Sequence, residues 1–307
     1  MTADNGGKPT IVLDGGDKGE AGGRCRYDVA GVRLVTDIHI PELAPLVAGM
    51  PLAEPFPLPP PAPDPGWRRA RLFDDSAFIG GRASRLAAYR VDAGTEISLD
   101  GAATFLVERG GRRIRRLSAP APRDFELILG PVIAVALAWH DRFLLHASTV
   151  IANGAAVSFL GESGAGKSTI AAALDGRDGM IRAGDDIGVF RATAHLDFSP
   201  RFPQPKAPAL AGAGADEAPV NALVVLRPAG ADANLAVNEL APRRLFDGIV
   251  GATVAARLFD HELSARHLDF AARASTTVKG LVLDYPHRPG ALEELAGRLA
   301  GDSGRAD

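Results

Sequence analysis

Apolar and polar positions change rhythm along this chain, and each change marks an element. Residues 26–40, RYDVAGVRLVTDIHI, alternate Val and Ile with polar side chains on either side of Gly31. That period of two is the signature of strands with one buried face, and it predicts two short strands or a hairpin. Runs of the same kind at 87–91, 96–99, 103–108 and 112–117 are broken by Gly94, Gly101 and the pair Gly110-Gly111, and predict a small β-rich unit. From residue 143 the runs become more continuously apolar: 143–151 and 155–160 are joined across Asn153-Gly154, a dipeptide suited to a tight hairpin turn. A glycine-rich stretch, 161–169, then leads into an alanine-rich helical run at 170–174. Further strands are predicted at 180–190, 222–226, 235–240 and 278–283. Pro242 suits the first turn of a helix on which Leu245, Phe246, Ile249, Val250, Val254 and Leu258 recur at helical spacing, and 261–274 and 291–299 predict two more helices. No internal repeat is apparent.

Between these runs lie segments of different texture. Residues 1–23 are rich in Gly, Asp and Lys and predict a mobile tail. Residues 51–66 hold eight prolines in sixteen positions, which removes the N–H groups a sheet or helix needs and predicts a stiff, extended connector. The Pro-, Gly- and Ala-rich residues 200–219 predict a long loop of the kind that often serves as a lid or binding element. The longest apolar run, 127–139, covers 13 residues and contains Gly130 and Pro131; it is too short to span a bilayer and predicts a buried helix starting near Pro131. With 307 residues, two domains are expected: a β-rich N-terminal domain at 24–122 carrying the connector, and an α/β domain at 123–307.

Composition narrows the classes of function. A chain that is 46% hydrophobic and 23% charged, with a formal charge of −3, is an ordinary soluble one and exerts no general pull on nucleic acid or an anionic membrane surface. Cys25 is the only cysteine, which excludes an internal disulfide framework and any multi-cysteine metal site. The first ten residues, MTADNGGKPT, lack the basic and apolar regions of a secretory signal, so a cytoplasmic location is expected. Residues 109–117, RGGRRIRRL, carry five arginines on an expected hairpin; they could grip an acidic peptide or a phosphate, or simply form a solvated edge strand whose charges block unwanted pairing. No heptad or evident patch declares the oligomeric state, and a homo-oligomer is compatible with the pattern.

The strongest chemical signal is GESGAGKST, residues 161–169, which satisfies the phosphate-loop pattern G-x-x-x-x-G-K-[ST] between a strand and a helix. Gly161, Gly164 and Gly166 can take backbone angles closed to other residues, so that N–H groups around Ser163 and Ala165 turn inward as a nest for phosphate oxygens. Lys167 adds a positive charge for the β and γ phosphates, Ser168 and Thr169 open the following helix, and the Ser168 hydroxyl suits Mg²⁺. Such a loop binds nucleotide without choosing a reaction. Two further features could make that choice. Asp185 and Asp186 follow Lys167 by eighteen and nineteen residues at a strand end, and carboxylates there could balance the charge of a metal ion or take the proton of an attacking hydroxyl. His146 stands on the strand before the loop; beside Leu144 and Leu145 it could be a core residue, or it could orient a carboxylate at the loop. Lys206 is a lesser candidate for a charge-stabilising or substrate contact, and Arg243 and Arg244 read as surface residues at a helix start.

Taken together, His146-Ala147-Ser148, the hairpin, GESGAGKS and Asp185-Asp186 resemble the catalytic domain of HPr kinase/phosphorylase and its relatives, bacterial ATP-dependent serine kinases. The resemblance covers roughly residues 125–300 and is sharpest over 143–190. The opening RYDVAGVRLVTDIHIPEL also resembles HPr-kinase-like proteins associated with ribosomally made peptides, including lasso peptides. The resemblance implies an α/β phosphate-loop kinase fold related to ATP-dependent phosphoenolpyruvate carboxykinase, with Mg·ATP as donor and a serine hydroxyl on a protein or peptide as acceptor. It implies that Gly161, Ser163, Gly164, Ala165, Gly166, Lys167, Ser168 and Thr169 hold the triphosphate. It further implies that Asp185 is the base oriented by His146, and that Asp186, with Ser168, lies nearer Mg²⁺. Thr169 stands where the HPr enzymes usually carry Glu, and their glycine- and arginine-rich signature after the acidic pair is not recognisable. These departures argue against the reverse, phosphorolytic reaction and against HPr itself as acceptor.

Other readings share parts of the pattern. Residues 185–188 match D-x-x-G of GTPases, but too soon after the loop and without N-K-x-D, and no transport-ATPase signature is present. A small-molecule kinase, or a nucleotide-binding regulatory protein without phosphotransfer, would present the same loop.

Overall fold

A computed structural model of the chain describes residues 8–14, 25–38, 40–47, 69–204, 210, 217–230, 232–286, 288 and 290–295. The proline-rich connector at 51–66 and Lys206 lie outside the described residues, as do most of 1–23, much of 200–219 and the end of the helix expected at 291–299. The fold is mixed α/β with two sheets, and the chain divides into two units, residues 1–142 with 255–267 and residues 143–254 with 268–307.

In the first unit, eight strands follow one another along the chain: β1 (Thr10–Asp14), β2 (Cys25–Val29), β3 (Val32–Thr36), β4 (Ala70–Ile79), β5 (Arg82–Val91), β6 (Gly94–Leu99), β7 (Ala103–Glu108) and β8 (Arg113–Arg116). They form one sheet in the order β2-β3-β1-β8-β7-β6-β5-β4. The expected hairpin at 26–40 is β2 and β3, turned by Ala30 and Gly31, both at positive φ. Thr10–Asp14 was read as part of a mobile tail; it is instead a strand, because Ile11 and Leu13 are buried and β1 pairs in parallel with both β3 and β8. The arginine-rich run is also corrected. Its strand β8 lies between β1 and β7 rather than at an edge, and two of its charges are paired within the fold: Arg115 with Glu108 at 3.0 Å and Arg116 with Asp124 at 2.6 Å.

The apolar run after the sheet forms two short helices, α1 (Asp124–Leu127) and α2 (Ile133–Ala138), with a break at Gly130 and every residue of α2 buried. The expected helix start at Pro131 falls inside the connecting turn, where its missing N–H is tolerated. This segment belongs to the first unit, so the division falls at Arg142/Phe143 rather than at 122/123. Gly111 explains why: a Cβ there would come within 2.6 Å of both the Ala136 carbonyl and Trp139, so the β7–β8 turn seats directly on this helix.

Two histidines of this unit, His267 buried and His140 half-buried, sit where burial disfavours the charged ring. Desolvation lowers the pKa of His140, against the opposing pull of the Gly111 carbonyl, and desolvation alone lowers that of His267. A histidine whose folded pKa is depressed binds its proton more readily when unfolded, so its contribution favours the native state above the unfolded value of about 6.5 and fades as pH falls below it. Urea unfolding should therefore give a lower midpoint at pH 5.5 than at pH 7.5, with a smaller difference in His267→Gln. Equal differences in the two proteins would count against this role for His267.

The second unit contains β9 (Phe143–Leu145), β10 (Ala147–Ala152), β11 (Ala155–Leu160), α3 (Lys167–Leu174), β12 (Ile181–Gly184), β13 (Gly188–Ala192), β14 (Leu196–Ser199), β15 (Ala218–Ala229), β16 (Ala236–Glu239) and α4 (Pro242–Ala252). It is completed by the greater part of α5 (His261–Thr277) and by β17 (Lys279–Pro286). The nine strands run β12-β10-β11-β15-β14-β13-β9, with β17 beside β15 and β16 beside β17. The Asn153-Gly154 turn has both residues at positive φ and joins β10 to β11, as the dipeptide predicts. Ile170, Ala171 and Leu174 of α3 are buried with Phe159, Val224, Leu226, Leu283 and Tyr285 in one apolar cluster. Each fully buried Ile or Leu contributes about 1.5–3 kcal/mol, so the helix after the glycine-rich loop is fixed against β11, β15 and β17 by its own apolar face.

Candidate functional site

Register decides what meets at the end of the second sheet. Ala147 pairs with Leu160, and Thr149 with Gly184, so the start of β10 and the ends of β11 and β12 share one edge. Leu145 of β9 pairs with Gly188 of β13. His146 lies between β9 and β10, residues 161–167 follow β11, and Asp185 and Asp186 follow β12. β15 runs parallel to β11, and β17 parallel to β15, with their carboxyl ends on the same side. Open α/β sheets place ligands outside such carboxyl ends.

The loop is built as its glycines require. Gly161, Gly164 and Gly166 have φ of 150°, 83° and 99°. A Cβ on Gly161 would stand 3.2 Å from the Leu226 carbonyl, so the first turn admits no larger residue without displacement of β15. The Glu162 carbonyl accepts from the Ala165 N–H at 3.2 Å, and Ala165 is buried below the turn, whereas Ser163 and Gly164 face outward. Gly166 precedes α3 in a left-handed conformation, and Lys167 is the first helical residue. The Lys167 ammonium donates to the carbonyls of Gly161 and Glu162, at 2.8 and 2.9 Å, and so arches over the turn although only 5% of the residue is exposed. Ser168 and Thr169 are exposed on the first turn of α3. The positive end of that helix and the inward N–H groups suit an anion.

The two acids have separate environments. The resemblance implies that His146 orients Asp185; in the structure His146 Nδ1 lies 3.4 Å from Oδ1 of Asp186. Asp185 is 4% exposed and has both oxygens engaged: Ser148 Oγ donates to Oδ1 at 2.8 Å, and Arg182 Nη2 lies 2.7 Å from Oδ2. Adjacent residues of extended chain face opposite ways, but β12 has ended at Gly184, and Asp186 takes the left-handed conformation with φ 72°. That turn directs Asp186 back toward His146. The His146 N–H donates to the Ala252 carbonyl at 2.7 Å, which ties this residue to the last turn of α4.

Gln204 is a buried partner that the sequence reading passed over. Its Oε1 accepts from the Asp185 N–H at 2.8 Å, and its Nε2 donates to the carbonyls of Ile187 and Phe202 at 3.0 and 3.3 Å. A signal was present: Gln204 is the one uncharged polar residue of PQPK, the stretch from which Lys206 had been chosen for its charge. Among the described residues no group of three or more His, Cys, Asp or Glu side chains could hold a metal by itself. One or two carboxylates with a hydroxyl is nevertheless the usual protein share of an Mg²⁺ site beside a triphosphate, the remaining ligands being phosphate and water. Ser168, at the helix start, and Asp186, partly exposed across the edge, have the right donor chemistry for that share.

No family model matches the chain, and no curated protein matches it. Among solved structures the chain is similar to the HPr(Ser) kinase/phosphatase from Coxiella burnetii, with 14% identity, 52% of this chain and 95% of that chain covered, and a TM-score of 0.30. No described helix is long and apolar enough to cross a membrane.

Proposed function

We propose that the chain is an ATP-dependent kinase that transfers the γ-phosphate to a serine hydroxyl of a small protein or ribosomally made peptide. The observation that carries this reading is the arrival of the His146–Asp186 pair, 3.4 Å apart, at the sheet edge that bears the glycine-rich loop and Lys167. A nucleotide holder needs the loop alone. A partly exposed imidazole and carboxylate in contact beside it supply a proton acceptor, which hydroxyl activation requires.

In this reading the N–H groups of residues 163–168 and the Lys167 ammonium hold the β and γ phosphates, while the Ser168 hydroxyl would hold Mg²⁺ together with phosphate and water oxygens. The metal, when bound, draws charge from the phosphoryl oxygens. Asp186 takes the serine proton, with His146 fixing the carboxylate. The serine oxygen forms its bond to the γ-phosphorus as the bond to the ADP oxygen breaks, and the proton passes from Asp186 to solvent. Asp185, held by Ser148 and Arg182, supports the turn and does not take the proton.

The test is incubation with γ-labelled ATP and peptides that carry or lack serine, followed by mass analysis. One added phosphate on serine-bearing peptides only is expected; hydrolysis of ATP at the same rate with and without every acceptor would overturn the proposal.

A further inference from the structure

The left-handed conformation of Asp186 is unfavourable for any residue with a Cβ, by about 1–2 kcal/mol. At Asp186 it is held by a hydrogen bond on either side. On the amino side the restraint is the bond from the Asp185 N–H to Gln204 Oε1; on the carboxyl side it is the bond from Gln204 Nε2 to the Ile187 carbonyl. A single amide side chain thus grips the backbone on both flanks of Asp186. Gln204 is itself fixed, with 2% exposure and a second bond from Nε2 to the Phe202 carbonyl. All three polar atoms that it satisfies are backbone atoms, so its contacts define a turn rather than a ligand site.

We infer that Gln204 is the positioning residue for the His146–Asp186 pair: it holds the turn that brings the Asp186 carboxylate against the imidazole. This rests on the reading of that pair as the proton acceptor. Gln204 acts on the pair through the backbone atoms it holds. Without the amide, the Asp185 N–H and the Ile187 carbonyl lose their buried partner and the turn relaxes toward right-handed φ, swinging the carboxylate away from Nδ1. A misplacement on the order of 1 Å can cost a hundredfold in rate.

The decisive variant is Gln204→Met, which keeps length and volume but removes both polar ends. Gln204→Glu retains the acceptor and loses the two donors, and serves should the methionine variant fail to fold. The first readout is the imidazole Hε1–Cε1 cross-peak of His146, measured in the full chain by NMR. It should move in Gln204→Met toward its position in Asp186→Asn. The second readout is transfer: Gln204→Met should lower kcat by about tenfold or more with KM for ATP changed less than about twofold, and should add no further loss in the Asp186→Asn background. An unmoved cross-peak, an unchanged kcat, or losses that multiply in the double variant would each overturn the inference. If the unaltered chain transfers no phosphate to any acceptor, the kinase reading fails, and the cross-peak alone then decides whether Gln204 positions the pair.

Discussion

Lys167→Ala is expected to abolish nucleotide-dependent chemistry and to weaken Mg·ATP binding at least tenfold. The ammonium is held across the loop by the Gly161 and Glu162 carbonyls. Removing one preorganised charge from the place where negative charge develops typically costs about 10²–10³ in rate. Lys167→Arg should not restore function, because a planar guanidinium does not fit a site in which the residue is 5% exposed. Calorimetric titration with ATP and the labelled-transfer assay measure the two effects separately. Unaltered affinity together with unaltered transfer in the alanine variant would remove the loop from the site.

The acids give a second, sharper result, because their surroundings differ and the proposed mechanism uses only one of them. Asp186→Asn should reduce transfer by about 10²–10⁴, the usual share of a general base, while nucleotide affinity and the urea midpoint stay near those of the unaltered protein. Asp185→Asn should act first on stability. It takes away the carboxylate that Arg182 meets at 2.7 Å and leaves a largely buried guanidinium without its counter-charge, a loss of about 3 kcal/mol. Urea unfolding of both variants, beside their rates of transfer, separates the roles. The assignment fails if Asp185→Asn is as stable as the unaltered protein and inactive, while Asp186→Asn remains active.

What the sequence disclosed of this arrangement follows the range of the forces involved. The β10–β11 hairpin, the start of α3 and the helix after Pro242 are set by contacts within a few residues: an Asn-Gly pair at positive φ, glycines at a strand end, a proline at the first helical position. These were legible. The β4–β5 hairpin carries an equally local signal in Gly80-Gly81, both at positive φ, but the apolar residues of β4 come in adjacent pairs, Leu72-Phe73 and Phe78-Ile79, separated by a polar stretch, instead of alternating. That pattern does not read as a strand, and β4 was not anticipated. β1 was hidden for a different reason: five residues owe their strand conformation to partners some twenty and one hundred positions away. No local pattern encodes that. At the site, spacing brought His146 and the acids to one edge but could not say which carboxylate turned toward the ring. That outcome depends on the handedness of one residue and on a glutamine eighteen positions beyond it.

The place of β1 has a consequence for how the first sheet is made. Within it, β1 alone bridges β3 and β8, so the early hairpin and the later meander share no direct strand pairing. The segment is synthesised about a hundred residues before β8 and cannot dock fully until β8 follows, since only then does its slot exist. Until then Ile11 and Leu13 have only half of their final surroundings, and assembly waits on the slow, non-local closure that governs the folding speed of sheet proteins.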